Sequence, residues 1–411
     1  MIATMAAIAV ALVVWALLAT RLDRWRISPP MVAVSTGVVV GLTVRDSIAG
    51  TLNTDVALHF AEIVLAVLLF VDATEVRGGL LGRNPGATLR LLLIALPLSL
   101  AAAVGLGMWL LPGYHWAVLL VVACVVVPID FAPAAAILRD KRIPVRVRDI
   151  LNSESGYNDG IVSPIIIFAL ILAGDHTQEH TPLTALGTAF PAAAKAILVG
   201  AACGAALAYL VNRADAAGLM TAQAKRVILV AAPLGSYALS VGIDGNGFVA
   251  AFVCGLVFQR VRDEDRHKEE LELIDDVGFL LTIMMWFVFG VVVVFTLWGG
   301  VNWRLWLYCL AVLTVVRMVP VMLALTGTRL TRIEDLLIAW LGPRGTTSIV
   351  FGLLAFNKLP DSDAELALTA MVITVLGSVF LHGLGAPLPA LGYYRRRGAD
   401  REPGSGVTGR R

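Results

Sequence analysis

The polar stretch Asn152-Ser-Glu-Ser-Gly-Tyr-Asn-Asp-Gly160 precedes a long apolar run, in a chain that is mostly apolar. Glu154 and Asn158 are four residues apart, as are Ser155 and Asp159, so each pair lies on one face of a helix. Charged side chains inside a bilayer are costly and normally face protein or a water-filled cavity. Oxygen donors without cysteine or histidine suit a hard monovalent cation or a proton. The alternative is a polar cluster that only holds helices together.

The composition is that of a membrane protein. Of the 411 residues, 58% are hydrophobic and 15% are charged, whereas soluble domains have about 25% charged residues. The net charge of +2 gives no indication of a nucleic-acid partner, and we expect the chain to be surrounded by lipid. No cofactor motif is present. Buried free thiols, rather than disulfides or metal ligands, are expected at Cys124, Cys203, Cys254 and Cys309.

Many apolar runs approach or exceed the length that crosses a bilayer, about 17–25 residues. The first run lacks a basic leader and a cleavage site, so we expect it to be a retained helix. We therefore expect an all-α polytopic protein with about 13 transmembrane helices. The runs lie near residues 1–20, 30–50, 56–76, 88–111, 115–138, 149–174, 186–212, 222–242, 246–259, 274–298, 303–326, 333–357 and 364–392.

Basic residues concentrate in the loops that follow the odd-numbered runs. The richest loop, 139–148, contains five of them. Because cytoplasmic loops carry the excess of Lys and Arg, this alternation predicts an external N-terminus and a cytoplasmic C-terminus in the cell membrane. The transmembrane domain is expected over 1–392, and the basic, Gly/Ser-rich tail 393–411 is expected to be disordered in the cytoplasm.

Two of the predicted helices are interrupted by proline and glycine. Pro128–Pro133 interrupts the fifth, and Gly342–Gly345 interrupts the twelfth. If 1–174 and 222–392 form two halves linked by the helix at 186–212, each interruption falls in the fifth helix of its half. Matched interruptions of this kind indicate a transporter site near the membrane midplane, built from inverted repeats. A simple proline kink is the alternative.

Each interruption also carries a charged residue. Asp130 lies in the first and Arg344 in the second. Broken helix ends carry opposite partial charges, which a carboxylate and a guanidinium can neutralise. Arg344 is expected to pair with Glu154, because an unpaired buried carboxylate is strongly unfavourable and a guanidinium matches its geometry.

Several segments, in order along nearly the whole chain, resemble the monovalent cation:proton antiporter-1 family, the NhaP-like sodium/proton exchangers. The stretch Asn152–Gly160 resembles the family signature. The other segments are Leu69–Ala73, Pro128–Asp130, Gly245–Phe252, Arg317–Pro320, Gly342–Gly345 with Ser348–Phe351, and Leu381–Leu384. Each segment alone is a modest signal, whereas their combination is specific.

The resemblance implies the NhaA-like sodium/proton antiporter fold, in which two unwound helices cross at the ion site, and a homodimer. It implies that Asp159 binds either the cation or a proton. Ser155 would add an oxygen ligand, and Asp130 would lie beside Na⁺ at the crossing. The family usually has threonine before this aspartate, whereas Ile129 can offer only its backbone carbonyl.

The resemblance also implies supporting residues around the ion site. A polar network that ties the sixth helix to the twelfth would consist of Glu154, Asn158 and Arg344, with Arg317 as a second core arginine. A cytoplasmic funnel, or an additional ligand, would be formed by Asp72 and Glu75. No enzymatic activity and no cofactor are expected.

The expected function is exchange of Na⁺, or of Li⁺ or K⁺, for H⁺ by alternating access. Burial favours the protonated form of a carboxyl group and a bound cation favours the ionised form. If the cation and the proton share one site at Asp159, and the empty site changes sides of the membrane only slowly, the cation flux and the proton flux are coupled one for one. Asn158 is an amide that cannot take up a transported proton, which predicts electroneutral exchange.

Two other classes of protein compete with an exchanger. Ser155 together with His382 faintly resembles the dyad of rhomboid intramembrane proteases, which needs a base within hydrogen-bond reach of the hydroxyl. The glycine expected two residues before the nucleophile is Ser153 here. The simpler role for His382 is a hydrogen-bonded histidine at a helix end near the cytoplasmic interface. A passive channel, the other class, would need no titratable carboxylate at a closed crossing.

Glycine pairs indicate where helices pack closely. Gly37 and Gly41, and Gly200 and Gly204, have the four-residue spacing that lets two helix backbones approach each other. Such contacts could lie at a dimer interface or within one subunit.

Overall fold

The computed structural model is helical and contains no strand over the residues that it describes, which are 2–25, 27–43, 55–76, 81–134, 136–174, 181–262, 267–298 and 300–385. By length and composition, 8 of the helices in these ranges could cross a membrane. Four more apolar helices are shorter: Ala6–Leu22, Pro29–Thr43, Trp116–Val126 and Gly247–Val261. The all-α class is confirmed, whereas the exact count of thirteen spans is not.

We number the helices along the chain. Two of them, the fifth and the twelfth, consist of two separate parts. The bounds are α1 Ile2–Arg24, α2 Pro29–Thr43, α3 Asp55–Glu75, α4 Pro85–Leu110, α5a Trp116–Val126, α5b Ala136–Arg139, α6 Val145–Ala173, α7 Pro182–Ala216, α8 Ala222–Val241, α9 Gly247–Val261, α10 His267–Leu297, α11 Trp303–Leu325, α12a Arg332–Trp340, α12b Thr346–Lys358 and α13 Asp361–Gly385.

Local chemistry explains the bounds of the broken twelfth helix. At the start of α12a, the Thr331 hydroxyl accepts a bond from the Glu334 N–H, and the Glu334 carboxylate accepts one from the Thr331 N–H. This capping box satisfies two backbone donors of the first turn. The helix ends at Trp340, shortly before Pro343, which has no N–H to donate. Helical structure resumes at Thr346.

The fifth helix loses its α-helical structure over several residues, with one 3₁₀ turn at Ala132–Ala134, and is therefore interrupted rather than kinked. α5a ends at Val126, and regular α-helix resumes only at Ala136. The unwound segment meets the interruption of the twelfth helix directly, since the Asp130 N–H donates to the Pro343 carbonyl at 2.8 Å. The expected crossing of two unwound helices is therefore confirmed.

The glycine pairs pack helices within one subunit. A Cβ at Gly37 would overlap the Phe287 carbonyl, and Gly37 lies against Gly290, so α2 and α10 approach through glycine on both sides. A Cβ at Gly200 or Gly204 would crowd backbone carbonyls of α9. These faces are occupied inside the subunit, because only glycine allows such close backbone approach. The interpretation of these pairs as dimer contacts is therefore wrong.

The remaining sequence predictions have mixed outcomes. All four cysteines are free thiols, as expected. Three of them are buried and Cys203 is half-buried. The predicted linking helix 186–212 corresponds to α7. The predicted disordered tail 393–411 lies outside the described residues.

Candidate functional site

Asp130 lies at the N-terminal end of α12b. Its Oδ2 accepts a hydrogen bond from the Thr346 N–H at 2.5 Å. The approach requires Gly345, because a Cβ there would come within 2.5 Å of the same carboxylate oxygen. Free N–H groups and the helix dipole make a helix N-terminus favourable for a negative charge. Asp130 thus neutralises one of the broken ends.

The Arg344 side chain lies at the C-terminal end of α5a. It is wholly buried at 0% exposure. The Nε donates to the carbonyl of Val126, the last residue of α5a, at 2.7 Å, and Nη1 donates to the Gly342 carbonyl. Its backbone N–H donates to the Ser378 hydroxyl at 2.7 Å, which anchors it to α13. The guanidinium therefore satisfies carbonyls that the interruptions leave without helical partners.

Asp159 is the most enclosed carboxylate of the crossing, at 2% exposure. Its Oδ2 accepts a hydrogen bond from the Thr347 hydroxyl at 2.6 Å, while its Oδ1 is buried and has no hydrogen-bond partner in the described part of the chain. Asp159 interacts electrostatically with Asp130 and Arg344. A buried carboxylate with one oxygen unsatisfied is unfavourable as it stands. This oxygen can therefore accept a proton or a cation.

The carbonyl of Ile129 connects the unwound segment to α6. It accepts hydrogen bonds from the Asn158 amide nitrogen at 3.0 Å and from the Ser155 hydroxyl at 3.3 Å. The structure therefore brings Ile129, Ser155 and Asn158 together, as the sequence analysis expects. Asp159 follows Asn158 directly in α6. The Ile129 side chain is buried and has no oxygen.

The predicted ion pair between Glu154 and Arg344 is wrong. Glu154 instead pairs with Arg317 in a two-pronged contact, with Nη1–Oε1 at 2.9 Å and Nη2–Oε2 at 3.1 Å. The Arg317 guanidinium also donates to the Ile338 carbonyl at 3.1 Å, so α6 is tied to α12a through α11. Gly342 leaves room for this, since a Cβ there would overlap the Arg317 side chain. The Arg344 guanidinium faces carbonyls instead.

Asp72 and Glu75 differ in their relation to the site. Asp72 is half-buried, and its carbonyl oxygen lies 3.2 Å from where a Cβ at Gly156 would be, so α3 packs closely against α6. It interacts electrostatically with Asp159. Glu75 is exposed at the end of α3, about one helical turn farther along.

Three contributors were missed by the sequence reasoning. Thr347 contacts Asp159, Thr346 contacts Asp130, and the Trp286 indole N–H donates to the Thr346 hydroxyl at 3.1 Å. The hydroxyl run Thr346-Thr-Ser348 directly after the second interruption was the available signal for the threonines. Nothing in the sequence indicated Trp286, which lies in a uniformly apolar part of α10.

The serine–histidine dyad is not formed. The Ser155 hydroxyl donates to the Ile129 carbonyl, whereas the His382 Nε2 bonds to the Trp340 carbonyl at 3.0 Å and its Nδ1 to Ser378. The His382 side chain is buried at 1% exposure. It packs at the end of α12a, where it satisfies a terminal carbonyl.

The donors around Asp159 are a carboxylate, hydroxyls and a backbone carbonyl. Oxygen donors of this kind suit hard cations. Within the described ranges, no group of three His, Cys, Asp or Glu side chains is placed to hold a metal ion.

Known proteins share this architecture. The structure of the sodium proton antiporter MjNhaP1 from Methanocaldococcus jannaschii at pH 8 matches with a TM-score of 0.79 and 21% identity, over 96% of this chain and 99% of that chain. An electron-microscopy structure of the same antiporter matches with a TM-score of 0.75 and 20% identity, over 98% and 100%. A Na(+)/H(+) antiporter of Schizosaccharomyces pombe is 23% identical over 325 residues, 75% of this chain and 68% of that protein.

The two structural matches show the fold. The family model described as sodium/hydrogen exchanger, transmembrane, matches residues 8–391, which is nearly the entire helical region. The chain therefore belongs to the sodium/hydrogen exchanger family.

Proposed function

We propose that this protein exchanges a monovalent cation for a proton across the cell membrane, and that Asp159 is the shared carrier. The observation that carries the proposal is a buried carboxylate at the crossing of two broken helices, with one oxygen bound by Thr347 and the other unpartnered. Membership of the sodium/hydrogen exchanger family supports the same reaction. A family of exchangers also argues against an enzyme.

The proposed mechanism is competition between the two substrates for one carboxylate. A proton on Asp159 gives a neutral site, and a cation beside ionised Asp159 also gives a neutral site. The empty, ionised site carries a net charge, which is costly to move through a region of low polarity. The site therefore changes sides of the membrane only when a proton or a cation is bound. Movement of a proton in one direction is then coupled to movement of a cation in the other.

Asp130 and Arg344 have a different role in this mechanism. Each neutralises a broken helix end, Asp130 at the start of α12b and Arg344 at the end of α5a. These charges compensate fixed helix dipoles, and in the proposed cycle they stay the same while the occupancy of Asp159 changes. Asp72, half-buried beside the site, would conduct ions between it and the cytoplasm.

Na⁺ is the proposed cation, with Li⁺ and K⁺ as alternatives. The named Na(+)/H(+) antiporter of Schizosaccharomyces pombe supports this choice. We further propose a homodimer in the cell membrane with its N-terminus outside and its C-terminus in the cytoplasm. The excess of basic residues in alternate loops supports that orientation. Such exchange would serve pH and sodium homeostasis.

The test of the proposal uses purified protein in proteoliposomes. An imposed gradient of Na⁺, Li⁺ or K⁺ should drive a change of internal pH, and Asp159→Asn should abolish it while the protein remains folded. The matched control is Asp149→Asn on the same helix, whose side chain lies at the exposed end and is 3.7 Å from Arg83. Exchange by Asp159→Asn at the wild-type rate would exclude Asp159 as the carrier.

The exchange is proposed to be electroneutral, one for one. Asn158 is an amide whose nitrogen donates to the Ile129 carbonyl at 3.0 Å, and it has no proton to transport. A net charge moved per cycle would be worth about 2.3 kcal/mol per 100 mV. The initial proton flux should therefore not respond to an imposed potassium-diffusion potential if potassium is not transported. A rate that changes several-fold with the sign of the potential would contradict this stoichiometry.

A further inference from the structure

Two adjacent threonines at the start of α12b serve the two carboxylates of the crossing in different ways. Thr346 contacts Asp130 through its backbone N–H at 2.5 Å, and its hydroxyl accepts from Trp286 at 3.1 Å. Thr347 contacts Asp159 through its hydroxyl at 2.6 Å. The Thr346 hydroxyl is thus used for packing, whereas the Thr347 hydroxyl is directed to the proposed carrier.

Among the other oxygen atoms near Asp159, the Ile129 carbonyl and the Ser155 hydroxyl are hydrogen-bonded to each other, whereas the Asn158 Oδ1 is buried and unpaired within the described residues. The Ile129 carbonyl accepts from both Asn158 and Ser155, and the Ser155 hydroxyl hydrogen is directed to that carbonyl. Position 129 has no side-chain oxygen. Among the residues for which the structure gives contacts, Thr347 is the one side chain that hydrogen-bonds Asp159. It is also buried, at 3% exposure.

A hydroxyl at this place can serve both substrates. It has one hydrogen to donate and two lone pairs that accept. When Asp159 is protonated, Thr347 can accept the carboxyl hydrogen; when Asp159 is ionised, Thr347 can donate to it and still present a lone pair. A neutral oxygen next to a carboxylate is a suitable ligand for a hard monovalent cation.

We infer that the Thr347 hydroxyl oxygen is a ligand of the exchanged cation and sets the preference among Na⁺, Li⁺ and K⁺. The inference rests on the proposed function, because it assigns a ligand to the cation that Asp159 carries. Thr347 has this role because the interruption at Gly342–Gly345 exposes the first turn of α12b to Asp159.

The chain contains its own matched control. Thr347→Val keeps the size of the side chain and removes the hydroxyl, and Thr347→Ser restores the hydroxyl. Thr346→Val removes the neighbouring hydroxyl, which contacts Trp286 and no carboxylate oxygen. For each variant, the half-saturation concentration and maximal rate would be measured in proteoliposomes for Na⁺, Li⁺ and K⁺. The cation-induced rise in melting temperature of the purified protein would be measured in parallel.

Loss of one neutral ligand should raise the half-saturation concentration of Thr347→Val about three- to tenfold, in line with the contribution of a single hydrogen bond. The factor should differ among the three cations, and Thr347→Ser should stay within about twofold of wild type. Thr346→Val should melt at a lower temperature with unchanged cation ratios. In Thr347→Val, saturation of the cation-induced rise in melting temperature should shift to higher concentration, which reports binding independently of transport.

Two results would overturn the inference. The first is a Thr347→Val variant with wild-type half-saturation concentrations and cation ratios. The second is a Thr347→Val variant that loses maximal rate or stability while its half-saturation concentrations stay at wild-type values, which would make Thr347 a positioning residue. A wild-type protein that exchanges none of the three cations would overturn the proposed function as well. If Thr347→Val does not fold, Thr347→Ala serves for the same comparison.

Discussion

The contact between Glu154 and Arg317 predicts a strong energetic coupling. Both side chains are nearly enclosed, at 8% and 6% exposure, and the guanidinium forms two parallel bonds to the carboxylate. Removal of one partner of a buried ion pair costs about 3–5 kcal/mol, because it leaves the other charge unpaired. Glu154→Gln and Arg317→Met should each lower the free energy of unfolding by this amount.

Arg317→Met should be the more damaging of the two variants. It also removes the bond to the Ile338 carbonyl at 3.1 Å, worth about 0.5–1.5 kcal/mol. The double variant leaves no stranded charge, so its loss should fall well below the sum of about 6.5–11.5 kcal/mol for the two single variants. The measurement is the free energy of unfolding by denaturant in lipid–detergent micelles.

The result that would refute this reasoning is additivity within about 0.5 kcal/mol, which is normal for residues that do not interact. A second cycle sharpens the test. Because the Arg344 Nε and Nη1 donate to carbonyls, whereas Arg317 donates to Glu154 directly, Glu154→Gln with Arg344→Met should show a smaller coupling than Glu154→Gln with Arg317→Met. The reverse order would mean that Glu154 pairs with the other arginine.

Two further predictions concern the scaffold. Gly37→Ala should lower the free energy of unfolding by about 1–3 kcal/mol, since its Cβ would overlap a backbone carbonyl of α10. The control is Gly105→Ala, whose added Cβ would meet nothing within 4 Å and which should be neutral or mildly stabilising. Equal melting temperatures for the two variants would contradict the α2–α10 crossing. Arg262→Met should cost about 1.5–3 kcal/mol, because it removes two charge-assisted hydrogen bonds to the buried Glu270 carboxylate, which is left with a Lys225 contact at 4.0 Å. A melting temperature equal to wild type would show that this cluster does not stabilise the protein.

Local features of the sequence were sufficient for the class of protein and for the positions of the helices. Hydrophobicity and its interruptions act over one helix at a time, so Pro128–Pro133 and Gly342–Gly345 could be recognised as breaks without knowledge of their neighbours. The polar face of α6 could also be predicted, since the four-residue spacing of Ser155 and Asp159 places them on one side of any helix.

The sequence by itself determined the membrane class, the two helix interruptions and the polar face of α6, whereas the tertiary structure decided which side chains touch. Glu154 lies 163 positions from Arg317, and Asp159 lies 188 positions from Thr347. Two arginines were available to one carboxylate, and their charge and type do not distinguish them. The choice follows from the crossing: Arg344 donates to the carbonyls of Val126 and Gly342, and the bare backbone of Gly342 admits Arg317. Such contacts depend on how helix ends meet in three dimensions, which spacing along one chain does not encode.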